Sequence, residues 1–313
     1  MNITSLLNAM PGAVAQGLIW GIMAIGVYIT YKVLDLADLT VDGTMATGGA
    51  VCVMLMLGGV NVWVALLCAI VAGMLAGLMT GIFHTAMGIP PILSGILTQL
   101  SLYSINLAIM DFKANQGINV TKYQLIVSQR GVRELSLSNP IFTALIITAL
   151  LIGALYWFFG TELGSALRAT GANANMARAQ GINTNLGKIL GLMISNGIVA
   201  LSSAMLAHYQ GFVDVNMGRG AIVIGLAAVI IGEVLVRALF KRYINFSILL
   251  AFTVLGGVLY YLVVVVVLWL RLDSNDLKLF TAVIVALFLA LPYLREHSKS
   301  SFARLKKGGG GNA

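Results

Sequence analysis

The sequence predicts an all-α fold, a polytopic integral membrane bundle of helices. Only 10% of the 313 residues are charged, whereas a soluble domain usually carries about 25% charged residues. Apolar residues make up 59% of the chain, and they form runs that approach or exceed the roughly 20 residues needed to cross a bilayer. These runs are too long and too uniformly apolar for the alternating strands of a membrane barrel. Helical spans are therefore expected throughout.

About nine segments are predicted to cross the membrane. They lie at 12–30, 43–58, 62–85, 89–110, 139–160, 189–207, 221–236, 244–270 and 278–294. The second and the seventh are short for a full crossing. The second opens on the polar sequence DLTVDGTMATGG and the seventh on DVNMGRG. Such segments are expected to be short, broken or re-entrant helices, which a membrane tolerates only where they pack in protein or line a cavity.

Basic residues are distributed unevenly among the predicted loops. If the C-terminal tail is cytoplasmic, twelve Lys and Arg residues lie on the inside and seven on the outside. This bias predicts a cytoplasmic C-terminus and places residues 161–188 in the cytoplasm. The chain then forms one transmembrane domain, 1–297, followed by a flexible basic tail, 298–313. Because the charges are spread over loops and tail, no nucleic-acid partner is expected.

A polar, glycine-punctuated segment follows the fifth predicted span. Its sequence ARAQG ends in the glycine that is typical just past a helix, and TGANAN supplies residues suited to capping a helix start. A short surface helix is therefore predicted over 172–180, with hinges at Gly171 and Gly181. Arg168 and Arg178 are expected to face water or a partner. The alternative is a solvated connection.

Polar side chains within the spans are candidates for contact with a solute. Ionisable residues at membrane depth are functional candidates because burying a charge is expensive. Three carboxylates qualify, namely Asp42, Asp214 and Glu233. The neutral candidates are Gln99, Tyr103, Asn106 and Asn196. Residues 99, 103 and 106 share one helix face, which predicts a pore lining. The alternatives are helix capping for the carboxylates and interhelical hydrogen bonding for the neutral groups.

The sequence contains no recognisable catalytic or metal-binding motif. GINTNLGKI, residues 181–189, is one residue longer than a phosphate loop, and Ile189 stands where Ser or Thr must hold magnesium. The three histidines are too dispersed for a metal motif. Ser202 or Ser203 and His208 lie near one another in sequence but do not share a helix face well. Neither an enzyme, a bound cofactor nor a metal site is expected.

Four strings in the sequence resemble one family of membrane proteins. RATGANANMARAQGIN, residues 168–183, is similar to the cytoplasmic coupling loop of permease subunits of bacterial ATP-binding-cassette importers, in the branch of branched-chain amino acid and ribose permeases. The other strings are LADLTVDGTMATGGA (36–50), LTQLSLYSINLAIM (97–110) and HYQGFVDVNMGRGAIVIGLAAVIIGE (208–233). Together they are similar to the subfamily associated with tryptophan, tyrosine and related uncharacterised importers. Ser203 and His208 depart from the pattern, which has Gly and Gln there.

This resemblance implies a transport subunit that draws its energy from a partner. In the family, two permease chains form one pore, and each presents its cytoplasmic loop to a separate ATPase subunit that binds ATP and magnesium. An extracytoplasmic substrate-binding lipoprotein delivers the solute. We call residues 161–188 the coupling segment. By the resemblance, its ATPase-coupling residues are Arg168, Gly171, Ala177, Arg178, Gly181 and Ile182.

The resemblance places the chain in a bacterial cytoplasmic membrane, surrounded by lipid. It implies a small amino-acid-like solute, with an aromatic amino acid as one candidate. The main alternative is an ion-coupled secondary transporter, which would work without an ATPase through Asp42 or Glu233. A structural membrane protein is a third class.

Overall fold

The computed structural model describes residues 3–120, 122–123, 125–133, 139–240 and 245–269, and the isolated positions 279, 282, 283, 286 and 290. The helices formed by these residues are α1 (Ile3–Tyr28), α2 (Thr40–Leu57), α3 (Val62–Thr85), α4 (Pro91–Ile109), α5 (Pro140–Gly160), α6 (Glu162–Ala172), α7 (Ala174–Ala179), α8 (Thr184–Gln210), α9 (Ala221–Leu239) and α10 (Phe246–Trp269). A π-helical turn, Ile29–Val33, extends α1, and a 3₁₀ turn covers Gln129–Arg133. Two short strands, β1 (Asn115–Gly117) and β2 (Phe212–Asp214), pair antiparallel.

Eight of the helices are long and apolar enough to cross a membrane, which confirms the predicted fold class. They correspond in order to the first eight predicted spans. The largest difference is at α1, whose helix begins at Ile3 rather than at residue 12 and passes through Pro11. The ninth predicted span, 278–294, falls outside the described residues except at the five isolated positions. The predicted tail, 298–313, lies wholly outside them.

The bundle is built around α1, α2 and α8. The membrane-crossing windows of these three helices are 72% to 78% buried, whereas those of α4 and α5 are 28% and 17% buried. A long apolar helix with so little of its surface covered must face lipid or another protein. The outer faces of α4 and α5 are therefore available for contacts outside this chain.

Glycines allow the closest helix crossings in the bundle. Gly73, Gly77 and Gly81 recur every fourth residue on α3; a Cβ added at Gly73 or Gly77 would collide with α8, and one at Gly81 would be in tight contact with Ile189 of α8. On α1, a Cβ at Gly17 would collide with the backbone of Val258 in α10, and one at Gly21 with the side chain of Val254 in the same helix. Small residues at this spacing let helix backbones approach each other, which favours association inside a membrane.

The two short helices α2 and α9 are each unbroken, and both begin inside the bundle. His208 near the end of α8 contacts Met56 near the end of α2, at 3.1 Å. The connection 211–220 then runs back along α2 until Gly218 packs on the carbonyl oxygen of Asp42. Because the helix between those two α2 positions is about 20 Å long, α9 begins deep in the bundle. The break expected in these two helices is not found: each is a continuous candidate span, and it is the connection before α9 that returns into the bundle.

The coupling segment contains two helices where the sequence predicted one. The side chains of Thr161 and Asn173 cap α6 and α7 respectively. Gly171 is not a hinge, because it lies inside α6, where a Cβ would collide with the carbonyl oxygen of Val33. Gly181 has a φ of 81° and open space around it, so it ends α7 as a left-handed residue. The predicted helix over 172–180 therefore corresponds to α7, and α6 was missed because its boundary depends on a single cap.

Candidate functional site

Four of the predicted pore residues line one pocket. Asp42, Gln99, Tyr103 and Asn106 surround a cavity of about 410 Å³ between α2, α4 and the connection that precedes α9. Gly43, Leu100, Val215 and Arg219 complete its wall. We call this cavity the α2–α4 pocket. The shared face of residues 99, 103 and 106 is thus directed at a cavity in this chain.

Asp42 joins the starts of the two short helices. Its carboxylate lies in the first turn of α2 and accepts hydrogen bonds from the backbone N–H of Gly220, at 2.9 Å, and of Ile222, at 3.0 Å. Both donors belong to the start of α9, where the helix dipole favours a negative charge. Asp42 is therefore a helix cap that also lines the pocket. Helix starts that meet inside a membrane bundle are a known position for solute sites.

Arg219 is a pocket residue that sequence reasoning did not identify as functional. Its side chain is exposed at the pocket wall. Within the described part of the chain, no carboxylate pairs with its guanidinium. A cation at the depth of a membrane bundle needs water or an anion nearby. Its position in DVNMGRG, directly before a short helix, is the sequence feature that points to this role.

Amide groups and a phenol add hydrogen-bonding capacity to the pocket. Asn106 is 1% exposed and donates from Nδ2 to the carbonyl oxygen of Gly43, at 3.3 Å. Among the described residues no donor pairs with its Oδ1, which is a buried acceptor beside the pocket. Gln99 is half-buried, and Tyr103 is 42% exposed. A cation, amides and an aromatic ring suit a small solute with polar and apolar parts.

Asn196 lies elsewhere, in a buried polar network. Its Nδ2 donates to Oδ2 of Asp38, at 2.7 Å, and its Oδ1 accepts from the hydroxyl of Thr44, at 2.7 Å. Asp38 also caps the start of α2 by accepting from the N–H of Thr40, at 2.9 Å. Burial raises the pKa of the Asp38 carboxyl above its ordinary value, although these hydrogen bonds oppose the shift. Asp38 was not singled out from sequence because it precedes the predicted span.

The other two carboxylates are engaged outside the α2–α4 pocket. Glu233 forms ion pairs with Lys32, at 2.7 Å, and with Arg237 one helical turn away. Asp214 belongs to β2 and accepts from the backbone N–H of Asn216, at 2.7 Å. Neither carboxylate caps a helix: Glu233 is held in ion pairs, and Asp214 in a local turn after β2.

The coupling residues are divided between two places. Ala177 is the buried residue of α7, and Arg178 donates to the hydroxyl of Thr184, at 3.1 Å, which ties α7 to the first turn of α8. Gly181 is exposed and Ile182 half-buried between these helices. Arg168 instead lines two cavities beside the membrane helices, together with Phe246. Gly171 packs next to it.

The described residues offer no evident metal site. No group of three His, Cys, Asp or Glu side chains within this part of the chain is arranged to hold a metal ion. Cys52 Sγ lies 3.3 Å from His208 Nε2, a buried contact between α2 and the end of α8.

Residues 10–292 match the model of a family described as the permease component of the branched-chain amino acid transport system. The chain belongs to this permease family. The permease is 39% identical over 299 residues to a tyrosine transport system permease protein of Clostridioides difficile (strain R20291), a match that covers 96% of each chain. It is 33% identical over 288 residues to the uncharacterized protein RP368 of Rickettsia prowazekii (strain Madrid E), with coverage of 91% and 97%.

A more distant relative and one solved structure are also similar to the permease. The autoinducer 2 import system permease protein LsrC of Yersinia pestis (strain Pestoides F) is 30% identical over 172 residues, which is 53% of the permease and 45% of LsrC. The solved structure of PsaBC from Streptococcus pneumoniae in complex with Fab superposes with a TM-score of 0.51 at 15% identity, covering 92% and 94% of the two chains. At that identity the likeness concerns the fold alone. The family confirms a multi-pass transport permease of the ABC type and not an enzyme.

Proposed function

We propose that the permease forms the translocation pore of an ATP-binding-cassette importer for a small amino-acid-like solute. In this proposal it works as a homodimer with two separate ATPase subunits and an extracytoplasmic substrate-binding lipoprotein. The observation that carries the proposal is the α2–α4 pocket, where Arg219 lies between two helix starts without an ion-pair partner in the described chain. Family membership supports the class of transporter.

The pocket chemistry supports a solute that carries a carboxylate. The guanidinium of Arg219 can bind a carboxylate through two parallel hydrogen bonds. Gln99 and Asn106 add amide groups on the same wall, and the exposed ring of Tyr103 can pack against an aromatic or aliphatic side chain. The relative named as a tyrosine transport permease supports an aromatic amino acid as the solute.

The exposed polar face of α4 supports a second copy at the pore. Ser101, Tyr103 and Ser104 are all exposed in this chain, although they lie in a membrane-crossing helix. Polar groups directed at lipid are costly. A second permease chain that covers this face would turn the α2–α4 pocket into part of a shared, water-filled pathway.

The basic end of the bundle supports a cytoplasmic position for the coupling segment. Lys32 pairs with Glu233, whose other partner Arg237 lies one turn further along α9. Arg168 lines a cavity with Lys32, so these cations lie at the same end. A concentration of basic residues at one end is typical of the cytoplasmic side. We accordingly propose that the C-terminus is cytoplasmic as well.

Contacts along α8 support a mechanical link from the ATPase to the pore. Arg178 ties α7 to Thr184 at the start of α8. Further along α8, Asn196 bonds to Thr44 in α2, two residues from Asp42 in the pocket wall. When the ATPase moves α7, the rigid α8 transmits the displacement to α2. ATP and magnesium bind to the ATPase, and this chain holds no cofactor.

The ion-coupled alternative would need a carboxylate free to bind an ion. Asp42 is occupied by two backbone N–H groups, and Glu233 by two cations. Both proposed ion carriers therefore already have strong partners, which favours ATP-driven transport.

Reconstituted liposomes test the proposal. With ATPase and binding protein present, Gly181→Val should uncouple ATP hydrolysis from uptake, because valine is strained at a positive φ. Arg219→Gln should raise the KM for uptake and leave basal hydrolysis unchanged. Gly153→Ala, on an open face of α5, is the matched control. Solute accumulation by this chain alone, driven by an ion gradient, would overturn the proposal.

A further inference from the structure

Two adjoining cavities form a groove at the basic end of the bundle. One, of about 450 Å³, is lined in part by Lys32, Asp35 and Arg168. The other, of about 420 Å³, is lined in part by Tyr156, Trp157 and Arg168. Both include Phe246, at the start of α10. We call the two cavities together the Arg168 groove.

The groove lies where several membrane helices end. The π-helical extension of α1 ends at Val33, α5 ends at Gly160, and α10 begins at Phe246. On the outward face of α5, Tyr156 is 57% exposed and Trp157 is 74% exposed. Tyr and Trp are enriched at the level of lipid head groups, because their rings have an apolar body and a polar edge. The groove therefore opens at the membrane–water boundary.

The charges around the groove leave one cation uncompensated. Lys32 and Arg237 share the carboxylate of Glu233. Asp35 is a second anion in the wall, but no carboxylate in the described chain forms an ion pair with Arg168. Of the three charged residues that line the groove, Lys32 and Arg168 are cations and Asp35 is an anion. Because Lys32 already pairs with Glu233, the uncompensated positive charge lies on Arg168.

We propose that the Arg168 groove binds an anionic phospholipid, with its phosphate on Arg168 and an acyl chain along Tyr156 and Trp157. An occupant must combine a negative head at the water border with an apolar body on the hydrocarbon side. Basic pockets between membrane helices on the cytoplasmic side bind such head groups. A soluble anion would leave the aromatic wall uncovered. This site is separate from the solute pocket, and it rests on the cytoplasmic position proposed above for this end of the bundle but not on the identity of the solute.

Binding of phosphatidylglycerol to the full chain in detergent tests this inference. Retained lipid is counted by native mass spectrometry, and the melting temperature is measured with phosphatidylglycerol, phosphatidylcholine or inorganic phosphate added. Wild type should retain phosphatidylglycerol and melt higher with it than with the other two. Arg168→Gln should weaken this binding by roughly fivefold to tenfold, since one basic residue contributes about that much. Arg168→Lys should keep most of it.

Arg178→Gln is the matched control, because Arg178 is an exposed cation of the same segment that does not line the groove. It should bind phosphatidylglycerol as wild type does. Equal binding by Arg168→Gln and wild type would overturn the inference. So would equal protection by inorganic phosphate, which indicates a soluble anion, or by phosphatidylcholine, which indicates no need for net charge. Loss of ATPase stimulation in Arg168→Gln with unchanged lipid binding would assign Arg168 to the ATPase contact instead.

Discussion

Removal of the Asp42 carboxylate should destabilise the fold at the junction of α2 and α9. In Asp42→Ala the N–H groups of Gly220 and Ile222, 178 and 180 residues away in sequence, lose the side-chain acceptor that Asp42 provides. A hydrogen bond to a charged group contributes about 1.5–3 kcal/mol, and an N-cap replaced by alanine costs about 0.5–2 kcal/mol. Water in the pocket can accept hydrogen bonds from the two N–H groups, which offsets part of this free-energy loss. We therefore expect a loss of about 3 kcal/mol for Asp42→Ala and about half of that for Asp42→Asn.

Thermal unfolding of the purified chain in detergent, followed by far-UV circular dichroism, measures this effect. A loss of about 3 kcal/mol corresponds to a fall in melting temperature of about 6–12 °C. Asp214→Ala is the control, since that carboxylate accepts only from the nearby N–H of Asn216, and its melting temperature should fall by no more than about 2 °C. A fall for Asp42→Ala no larger than the control's would refute the assignment of Asp42 as the cap of α9.

Two further substitutions test the packing and the buried polar network. Gly77→Ala places a Cβ against the carbonyl oxygen of Leu192 and should cost about 1–3 kcal/mol by overpacking. The added Cβ of Gly153→Ala meets no atom within 4 Å, so this control should be neutral or stabilising. Equal melting temperatures for the two variants would contradict the close crossing of α3 and α8. Burial raises the pKa of the Asp38 carboxyl above 3.8 in the folded chain. The protonated carboxyl therefore stabilises the fold fully below pH 3.8, and this stabilisation is lost as the pH rises through the raised pKa. Asp38→Asn should remove this pH dependence of the melting temperature. A pH dependence that persists in the variant would show that Asp38 is not its source.

The helical spans could be predicted because local composition decides them. An apolar run in lipid has to satisfy its backbone groups within itself, so α3 and α5 follow from their sequences almost to the residue. The boundary between α6 and α7 could not, because one capping residue, Asn173, separates two short helices. Gly171 was consequently interpreted as a hinge, although it lies inside a helix and packs against Val33.

The candidate site, like the helices, was predictable from the sequence only where a local pattern determined it. Helical periodicity placed Gln99, Tyr103 and Asn106 on one face of α4, and the pocket lies on that face. Periodicity contains no information about Arg219, which reaches the same wall from a connection that runs back into the bundle. Glu233 and Asn196 had the same polar character as the pocket residues, yet the fold gives them other partners.

The sequence by itself determined that this protein is a helical membrane permease, because hydrophobic run length and the family's sequence strings are local properties. The tertiary structure alone decided which polar residues share a cavity. Asp42 meets the start of α9, and Asn196 meets Asp38 158 residues away, through contacts that depend on how helices pack. Such pairings depend on the depth at which each short helix begins, and no local pattern specifies that depth.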